Sequence, residues 1–230
     1  MLRLILALGL LLPAVLPAQT LERSLGLELT PHYGSHRLSN ARSVILDRLE
    51  RLDSLEQGRA GFAIGAVYES RVDRIGFTTG LRYTYVGYET LEQAAPGGGT
   101  YTDRVSAHYL SLPFEVNFYQ DVTEKDRVLF VLGIAGQYHL GTGGQRTSLT
   151  GGAETGSSAL DLERSDYRPF LASFVTGIGY DRKLSANWAL RVQPNFQFFL
   201  NGSLRPDTAA DVNRNYYQVG LRVVVRRLFI

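Results

Sequence analysis

Apolar and polar residues alternate with a period of two along most of the chain. The alternation is clearest in residues 188–200, where the apolar positions include Phe196 and Phe198 and the positions between them carry Arg191, Gln193 and Gln197. A central strand of a soluble sandwich rarely places such a polar face opposite an aromatic one. The wall of a membrane barrel does so, because it separates lipid from a polar lumen. The pattern predicts a transmembrane β-strand.

The same alternation occurs seven more times and predicts eight strands in total. The fifth and seventh of these strands are expected to be the longest. An even number of antiparallel strands predicts an all-β, eight-stranded up-and-down transmembrane β-barrel with both termini on one side. The predicted strands cover residues 25–33, 61–69, 75–85, 109–118, 128–140, 170–180, 188–200 and 217–226.

The lengths of the connections between these strands support a barrel. They are about 27, 5, 23, 9, 29, 7 and 16 residues, so long and short segments alternate without exception. Outer-membrane barrels have this rhythm, with short periplasmic turns and long external loops. The short turns are charged and contain both lysines, Lys125 and Lys183.

Aromatic residues concentrate near the ends of the predicted strands. Amphipathic rings favour the headgroup level of a membrane, so two aromatic girdles are expected. The periplasmic girdle would contain Trp188, Phe118, Tyr119, Tyr180 and Tyr68, and the outer girdle Tyr33, Tyr83, Tyr85, Tyr138, Phe198 and Tyr217.

The first 18 residues have the pattern of a secretory signal peptide. Arg3 precedes an unbroken apolar run at positions 4–12, and Ala18 ends the segment before Gln19. This run is too short for a transmembrane helix, which needs roughly 20 apolar residues. We therefore assign residues 1–18 to a signal peptide and residues 19–230 to one outer-membrane β-barrel domain.

The composition excludes several classes of site. The chain has 230 residues, no cysteine and a formal net charge of +2, which becomes about +1 once Arg3 is removed with the signal peptide. The lack of cysteine rules out a thiol nucleophile, a zinc finger and an iron–sulfur cluster. The balanced charge gives no indication of a nucleic-acid partner.

The polar face of the strands predicts a charged lumen. Three acids face three arginines there, and unpaired charges in a narrow lumen would be costly, so we expect a charge-paired plug. The alternative is a polar conduit or a proton path, which a lumen filled by side chains disfavours. The predicted network consists of Glu28, Glu69, Glu115, Arg82, Arg191 and Arg222.

The histidines raise the alternative of an enzyme at the outer rim. His36 and His108 are placed there by the strand pattern, with Ser35, Ser106, Asp103 and Asp166 at comparable heights. A nucleophilic site needs a serine, a base and an acid within hydrogen-bond reach, and the chain lacks both a Gly-x-Ser-x-Gly and a His-Glu-x-x-His motif. We therefore assign no catalytic, cofactor-binding or metal-binding residue.

Two of the long connections have distinct sequences. Residues 43–58 predict a short amphipathic helix with Ser43 as N-cap and Gly58 as its stop. Its apolar stripe either folds over the barrel mouth or binds a protein partner, whereas the connection 141–165, rich in Gly, Ser and Thr, is expected to be a mobile surface loop. The stripe consists of Ile45, Leu49, Leu52 and Leu55.

Several short motifs point to a known family of barrels. Residues 109–115 read Tyr-Leu-Ser-Leu-Pro-Phe-Glu and are similar to the Tyr-Leu-x-Ile-Pro motif of the PorT-like outer-membrane β-barrel family. Residues 59–65, the Gly-Ile-Gly-Tyr at 177–180 and the closing strand at 217–225 also fit, so the resemblance covers nearly the whole mature chain. One departure is the C-terminus, where Phe229 is penultimate and Ile230 is last.

These features predict an integral protein of the outer membrane without catalytic activity. Its role would be structural, adhesive or secretion-accessory, exercised through the external loops. Expected partners are outer-membrane lipid, a protein at the external loops and, during assembly, the barrel insertion machinery. The alternatives are an enzyme at the rim and a secreted soluble barrel that carries an apolar ligand inside.

Overall fold

Eight long antiparallel strands form a closed ring in the computed structural model, which describes residues 21–40, 46–205 and 212–229. The predicted signal peptide lies outside these residues. In chain order the elements are β1 Leu21–Asn40, helix α1 Leu46–Leu55, β2 Glu56–Val72, β3 Ile75–Thr90, β4 Gln93–Ala94, β5 Thr100–Asp121, β6 Asp126–Thr150, β7 Ala153–Ala159, a 3-10 helix Arg164–Asp166, β8 Phe170–Lys183, β9 Trp188–Phe199 and β10 Val212–Phe229.

Each barrel strand pairs with the next one along the chain, and β10 pairs with β1 to close the ring. The order around the barrel is β1, β2, β3, β5, β6, β8, β9 and β10. The short strands β4 and β7 are outside the ring and extend the sheet beyond β5 and β6. The predicted eight-stranded up-and-down barrel is confirmed.

Alternate residues of each strand face opposite sides of the wall, because successive Cβ atoms of a strand point to opposite faces. In β1, Leu25 and Leu27 point outward and are 54% and 71% exposed, whereas Ser24 and Glu28 on either side of them are buried and only 2% exposed. The apolar and aromatic rows therefore cover the outside. A soluble barrel with an apolar ligand would need them inside, so that alternative is wrong.

The strands are longer than the alternation alone indicates. The fifth predicted strand, β6, is the longest with 25 residues, but the seventh, β9, has only 12 and is the shortest of the ring. The strands β5 and β6 stay paired as far as Thr100 and Leu149. The prediction of a mobile loop at 141–165 is wrong, since its first ten residues continue β6 and much of the rest forms β7.

The connections at one end are short, and we call this the short-turn end. Asp73 and Arg74 alone join β2 to β3, and Asp73 adopts a left-handed φ of 51° that a short polar side chain tolerates. Residues 122–125 and 184–187 form the other two turns. The opposite end carries the longer connections and α1, and we call it the long-loop end.

The amphipathic helix is present as α1, which contacts β1 and β2. Gly58 does not stop it, because the helix ends at Leu55 and β2 begins at the next residue. Gly58 lies within β2, where its carbonyl accepts a hydrogen bond of 2.8 Å from the Tyr33 hydroxyl. The predicted N-cap, Ser43, lies outside the described residues. Among the described helices none is both long and apolar enough to cross a membrane.

Candidate functional site

Four buried side chains at mid-height of the lumen form what we call the central charge cluster. They are Glu28 of β1, Arg82 of β3, Glu115 of β5 and Arg222 of β10. Arg222 donates to Glu28 at 2.6 Å and to Glu115 at 2.7 Å. Arg82 donates to Glu28 as well, and to Glu115 at 3.4 Å. Two acids and two arginines make the cluster neutral.

A second group lies nearer the short-turn end, and we call it the lower charge cluster. Arg191 and Arg226 donate to Glu69 at 2.7 and 2.5 Å, and Arg226 also pairs with Asp181. The Tyr119 hydroxyl donates to Glu69 at 2.5 Å. This cluster also contains two acids and two arginines.

The structure places all six predicted network residues in the lumen but divides them between the two clusters. Glu69 and Arg191 belong to the lower cluster, and the other four form the central one. The lower cluster is balanced by Asp181 and Arg226, which the predicted network does not include. Each group is therefore neutral by itself, as buried charges require.

Two of the lower-cluster residues lie in positions that differ from the prediction. Asp181 was predicted to lie in a turn, but it is part of β8 and 1% exposed. Tyr119 was predicted to lie in the periplasmic girdle, but it points into the lumen and is 3% exposed. Both keep the inward parity of their strands, as Asn117 and Gly179 do. Extending each of the two predicted strands by one residue identifies them.

Glycines give the charged side chains room against the wall. A Cβ atom at Gly133 of β6 would lie 2.8 Å from Cγ of Glu115, and one at Gly65 of β2 would lie 2.8 Å from Cα of Arg82. Such contacts are too close for any larger residue without displacement of the neighbouring strand or side chain. The small residues on the polar face thus allow the central charge cluster to form.

Uncharged polar side chains fill the lumen between the central charge cluster and the long-loop end. The amide of Gln137 donates to Ser173 at 3.0 Å and accepts from Ser111, while Gln197 donates to Ser173 at 2.9 Å. Thr84 lies 3.2 Å from the Ser111 hydroxyl. This belt links β3, β5, β6, β8 and β9.

An apolar layer closes the lumen at the long-loop end. The alternation of apolar and polar residues does not reveal this layer, because most of its residues lie at or beyond the ends of the predicted strands. Leu160 and Leu162, from the connection after β7, pack against it, so these leucines cover the mouth. The layer consists of Val86, Tyr88, Val105, Ala107, Tyr109, Leu171, Phe199 and Tyr216.

Three charged or titratable side chains meet beside this layer, and we call them the mouth cluster. Glu56 accepts from His36 at 2.5 Å and from Arg214 at 2.9 and 2.5 Å. Glu56 lies beyond the lipid-facing part of β2, which begins at Phe62. Burial alone would raise the pKa of Glu56, but the hydrogen bonds from Arg214 and His36 lower it to about 2.

The residues considered for catalysis have other partners. His108 shares a hydrogen bond of 2.6 Å with the Tyr83 hydroxyl, Ser106 contacts Tyr85 and Arg59, and Asp103 pairs with Arg146 at 2.7 Å. The remaining two, Ser35 and Asp166, lie in β1 and in the 3-10 helix. Within the residues that the structure describes, no three His, Asp or Glu side chains are placed to bind a metal ion.

The predicted partner stripe is only partly described. Ile45 lies outside the described residues, and Leu49 lies in α1. Leu52 and Leu55 of α1 are half-buried. The Leu55 carbonyl accepts a hydrogen bond of 2.7 Å from the Leu91 amide, which holds the end of the helix to the β3–β4 connection.

Comparisons with known proteins agree with the architecture. A model of the family described as outer membrane protein beta-barrel domain matches residues 18–205. This match is to the broader family, and the PorT-like resemblance stays a prediction. Curated proteins give no match to the chain.

Several solved structures of outer-membrane proteins are similar to the chain at low identity. Neisserial surface protein A is 13% identical, with 87% of this chain and 96% of that chain covered and a TM-score of 0.38. Ail of Yersinia pestis is 12% identical, with 89% and 97% covered and a TM-score of 0.33. The outer membrane protease OmpT of Escherichia coli is 8% identical, with 94% and 99% covered and a TM-score of 0.38.

Proposed function

Because the chain belongs to the outer membrane protein beta-barrel domain family, we propose that it is a sealed, non-catalytic barrel that acts through its long-loop end. It is an integral protein of the outer membrane, and its outward apolar rows face lipid. Barrels of this membrane have short periplasmic turns and longer external loops, so the long-loop end is the external one. The role is structural, adhesive or secretion-accessory.

The filled lumen carries this proposal. Glu28, Arg222 and Gln193 are between 0% and 2% exposed, although they lie inside a barrel. A barrel of eight strands has an interior just wide enough for side chains. The charge clusters, the polar belt and the apolar layer fill the lumen at successive heights. This filling favours a barrel through which no solute passes.

Conductance measurements test the sealed lumen. The mature chain, refolded and reconstituted into a planar lipid bilayer, is expected to produce no unitary conductance steps. A porin in the same bilayer serves as the positive control. Conductance steps that appear with the folded protein and disappear after boiling would overturn the proposal.

Hydrolysis assays test the absence of catalysis. The same proteoliposomes are expected to leave phospholipids and a set of fluorogenic peptides intact. Cleavage by the wild type that is lost in a His36→Ala or a His108→Ala variant would replace the proposal with an enzyme at the rim. The heat-dependent gel mobility of each variant establishes that it is folded.

The external surface includes the partner stripe of α1. Half-buried leucines on an exposed helix suit an apolar protein partner, since they leave part of the stripe uncovered. At the other end, Phe229 closes β10 with its ring pointing outward and 46% exposed. An outward aromatic side chain at the end of the closing strand is what we expect the barrel insertion machinery to bind during assembly.

A further inference from the structure

A cavity of about 340 Å³, which we call the β6 cavity, opens beside the middle of β6, and two arginines line it. It lies between His139 of β6, the segment that leads into β8 and the segment that follows β9. The wall consists of His139, Arg164, Ser165, Tyr167, Pro169 and Arg205.

Arg164 contributes a positive charge that no described carboxylate neutralises by an ion pair. Its Nη2 atom donates to the Tyr138 hydroxyl at 3.5 Å and to the His139 carbonyl at 3.4 Å, which are long contacts. Glu163, the acidic residue that directly precedes Arg164 in the sequence, instead accepts a hydrogen bond of 3.0 Å from Ser165. The guanidinium is thus held at the cavity by neutral groups.

Two backbone contacts help to position Arg205 in the wall of the cavity. Its Nε atom donates to the Tyr167 carbonyl at 3.0 Å, and its backbone amide donates to the Asp166 carbonyl at 2.8 Å. The Tyr167 ring stacks on the His139 ring with 5.0 Å between centroids, which gives the cavity a flat aromatic side. Two arginines and an aromatic wall are a combination that suits a phosphorylated sugar, because guanidinium groups bind phosphate through paired hydrogen bonds.

The cavity lies at the height of the membrane surface. Tyr138, which Arg164 contacts, points outward, and its ring lies 5.1 Å from that of Phe170. Phe170 is 72% exposed on the lipid-facing side. Outward aromatic residues at the edge of the lipid-facing rows mark the headgroup level, and the row of β6 ends at Leu140. The outer leaflet of this membrane carries phosphorylated glycolipid at that level.

We propose that this cavity binds a phosphate monoester carried on a sugar, with Arg164 and Arg205 as the residues that bind the phosphate. The sugar phosphate is supplied either by a glycolipid of the outer leaflet or by a soluble saccharide. The inference rests on the outer-membrane location and is independent of whether the lumen is sealed.

Native mass spectrometry of the refolded full-length mature protein in detergent tests this site. The probes are diphosphorylated lipid A, its fully dephosphorylated form and glucose 1-phosphate. Lipid A is expected to bind, and the double variant R164Q/R205Q is expected to weaken binding roughly tenfold or more, since two charge-assisted contacts are lost. The matched control is Arg104→Gln, which removes an exposed charge at the same end of the barrel.

The outcomes separate the source of the phosphate from the existence of the site. Tighter binding of lipid A than of glucose 1-phosphate, with both weakened by the double variant, supports the glycolipid, whereas equal binding of the two supports a soluble saccharide. Equal affinity of wild type and double variant would overturn the site. Equal binding of phosphorylated and dephosphorylated lipid A would also overturn it, because the acyl chains would then account for the affinity.

Discussion

At the residue scale, the neutrality of each charge cluster decides what a single substitution does. Arg222 contacts both acids of the central charge cluster, Glu28 and Glu115. Removal of one partner from a buried ion pair leaves an uncompensated charge, which costs more than the loss of the contact itself. A second change that restores neutrality should therefore recover stability.

We expect Arg222→Met to lower the free energy of unfolding by about 3–5 kcal/mol, because Glu28 and Glu115 would then share Arg82 alone. Adding Glu115→Gln removes the excess negative charge and should restore a large part of this loss. Urea unfolding in lipid vesicles, followed by the fluorescence of the single tryptophan Trp188, gives both values. A double variant as unstable as Arg222→Met would show that neutrality is not the deciding factor.

The lipid-facing side responds to charge in a different way. Ile134 points outward near the middle of the lipid-facing part of β6 and is 59% exposed. Arginine at the bilayer midplane costs roughly 2–4 kcal/mol, so Ile134→Arg should lower stability by about this amount. Ser148→Arg, on the exposed part of the same strand, should change it by less than about 0.5 kcal/mol. The same unfolding assay compares them, and equal losses would contradict the assigned membrane position.

At the scale of elements, the mouth cluster fixes how α1 and the external part of β2 are held. Glu56 is the first residue of β2, directly after α1, and it pairs with His36 of β1 and Arg214 of β10. Tyr88 of β3 lies against both partners, 4.7 Å from the His36 ring and 4.8 Å from the Arg214 guanidinium. One carboxylate thus connects three strands at the end where the helix joins the barrel.

The pKa of Glu56 predicts that acid loosens this connection. The folded pKa of about 2 lies below the ordinary value of 4.5, so the carboxylate stabilises the folded mouth above pH 4.5. That contribution is lost as the pH falls from 4.5 through 2. A spin label on an Asp53→Cys variant, unique because the chain has no other cysteine, should become more mobile over this range.

The matched control is Glu56→Gln in the labelled protein. A neutral amide cannot titrate, so the label on α1 should have the same elevated mobility at pH 5 and at pH 2. Label mobility in the wild type that does not change between these values would show that Glu56 does not hold the helix.

The paired extension of β5 and β6 is the other element that shapes the external surface. Asp103 and Arg146 form a two-bond ion pair at 2.7 Å across this hairpin, and the Arg146 guanidinium lies 4.0 Å from the centre of the Tyr101 ring. The pair is partly exposed, so it contributes modestly to stability. Its position beyond the membrane gives the external surface a rigid base next to the β6 cavity.

At the scale of the whole molecule, closure of the ring removes the edges that an open sheet would expose to lipid. The β10–β1 pairing runs from Arg23 opposite Phe229 to Asn40 opposite Val212. Every backbone polar group of a membrane-spanning strand must be paired, and a closed barrel achieves this. The hydrogen-bonded ring should therefore resist detergent until it is heated.

We expect the refolded protein to migrate differently on a gel before and after boiling. Trypsin should cleave the unheated protein at exposed arginines such as Arg51 of α1 and leave the barrel protected, because Arg82, Arg191 and Arg222 are buried. The boiled sample, digested completely, is the control. Complete digestion without heating, or no change in mobility, would contradict a closed barrel.

The sequence by itself determined the number of strands, the faces of the wall and the inward position of the charges. The wall has lipid on one side and a polar lumen on the other, so apolar and polar residues must alternate along each strand. This alternation is visible in the sequence itself. From the same parity, Glu28 and Arg222 could be assigned to the lumen before any contact was known. The helix α1 could be read in the same way, from the spacing of its leucines.

Only the tertiary structure decided which charges meet and where the strands end. The division into two neutral clusters depends on the stagger between strands, which brings Asp181 of β8 beside Arg226 of β10 on the lumen side of β9. Tyr119 points inward because β5 continues to Asp121, so inward and outward residues still alternate at this position. Its aromatic side chain, taken alone, predicts a place at the membrane interface. The long β5–β6 ladder is held by backbone hydrogen bonds. Such bonds form without regard to side chains, so they leave no pattern in the sequence.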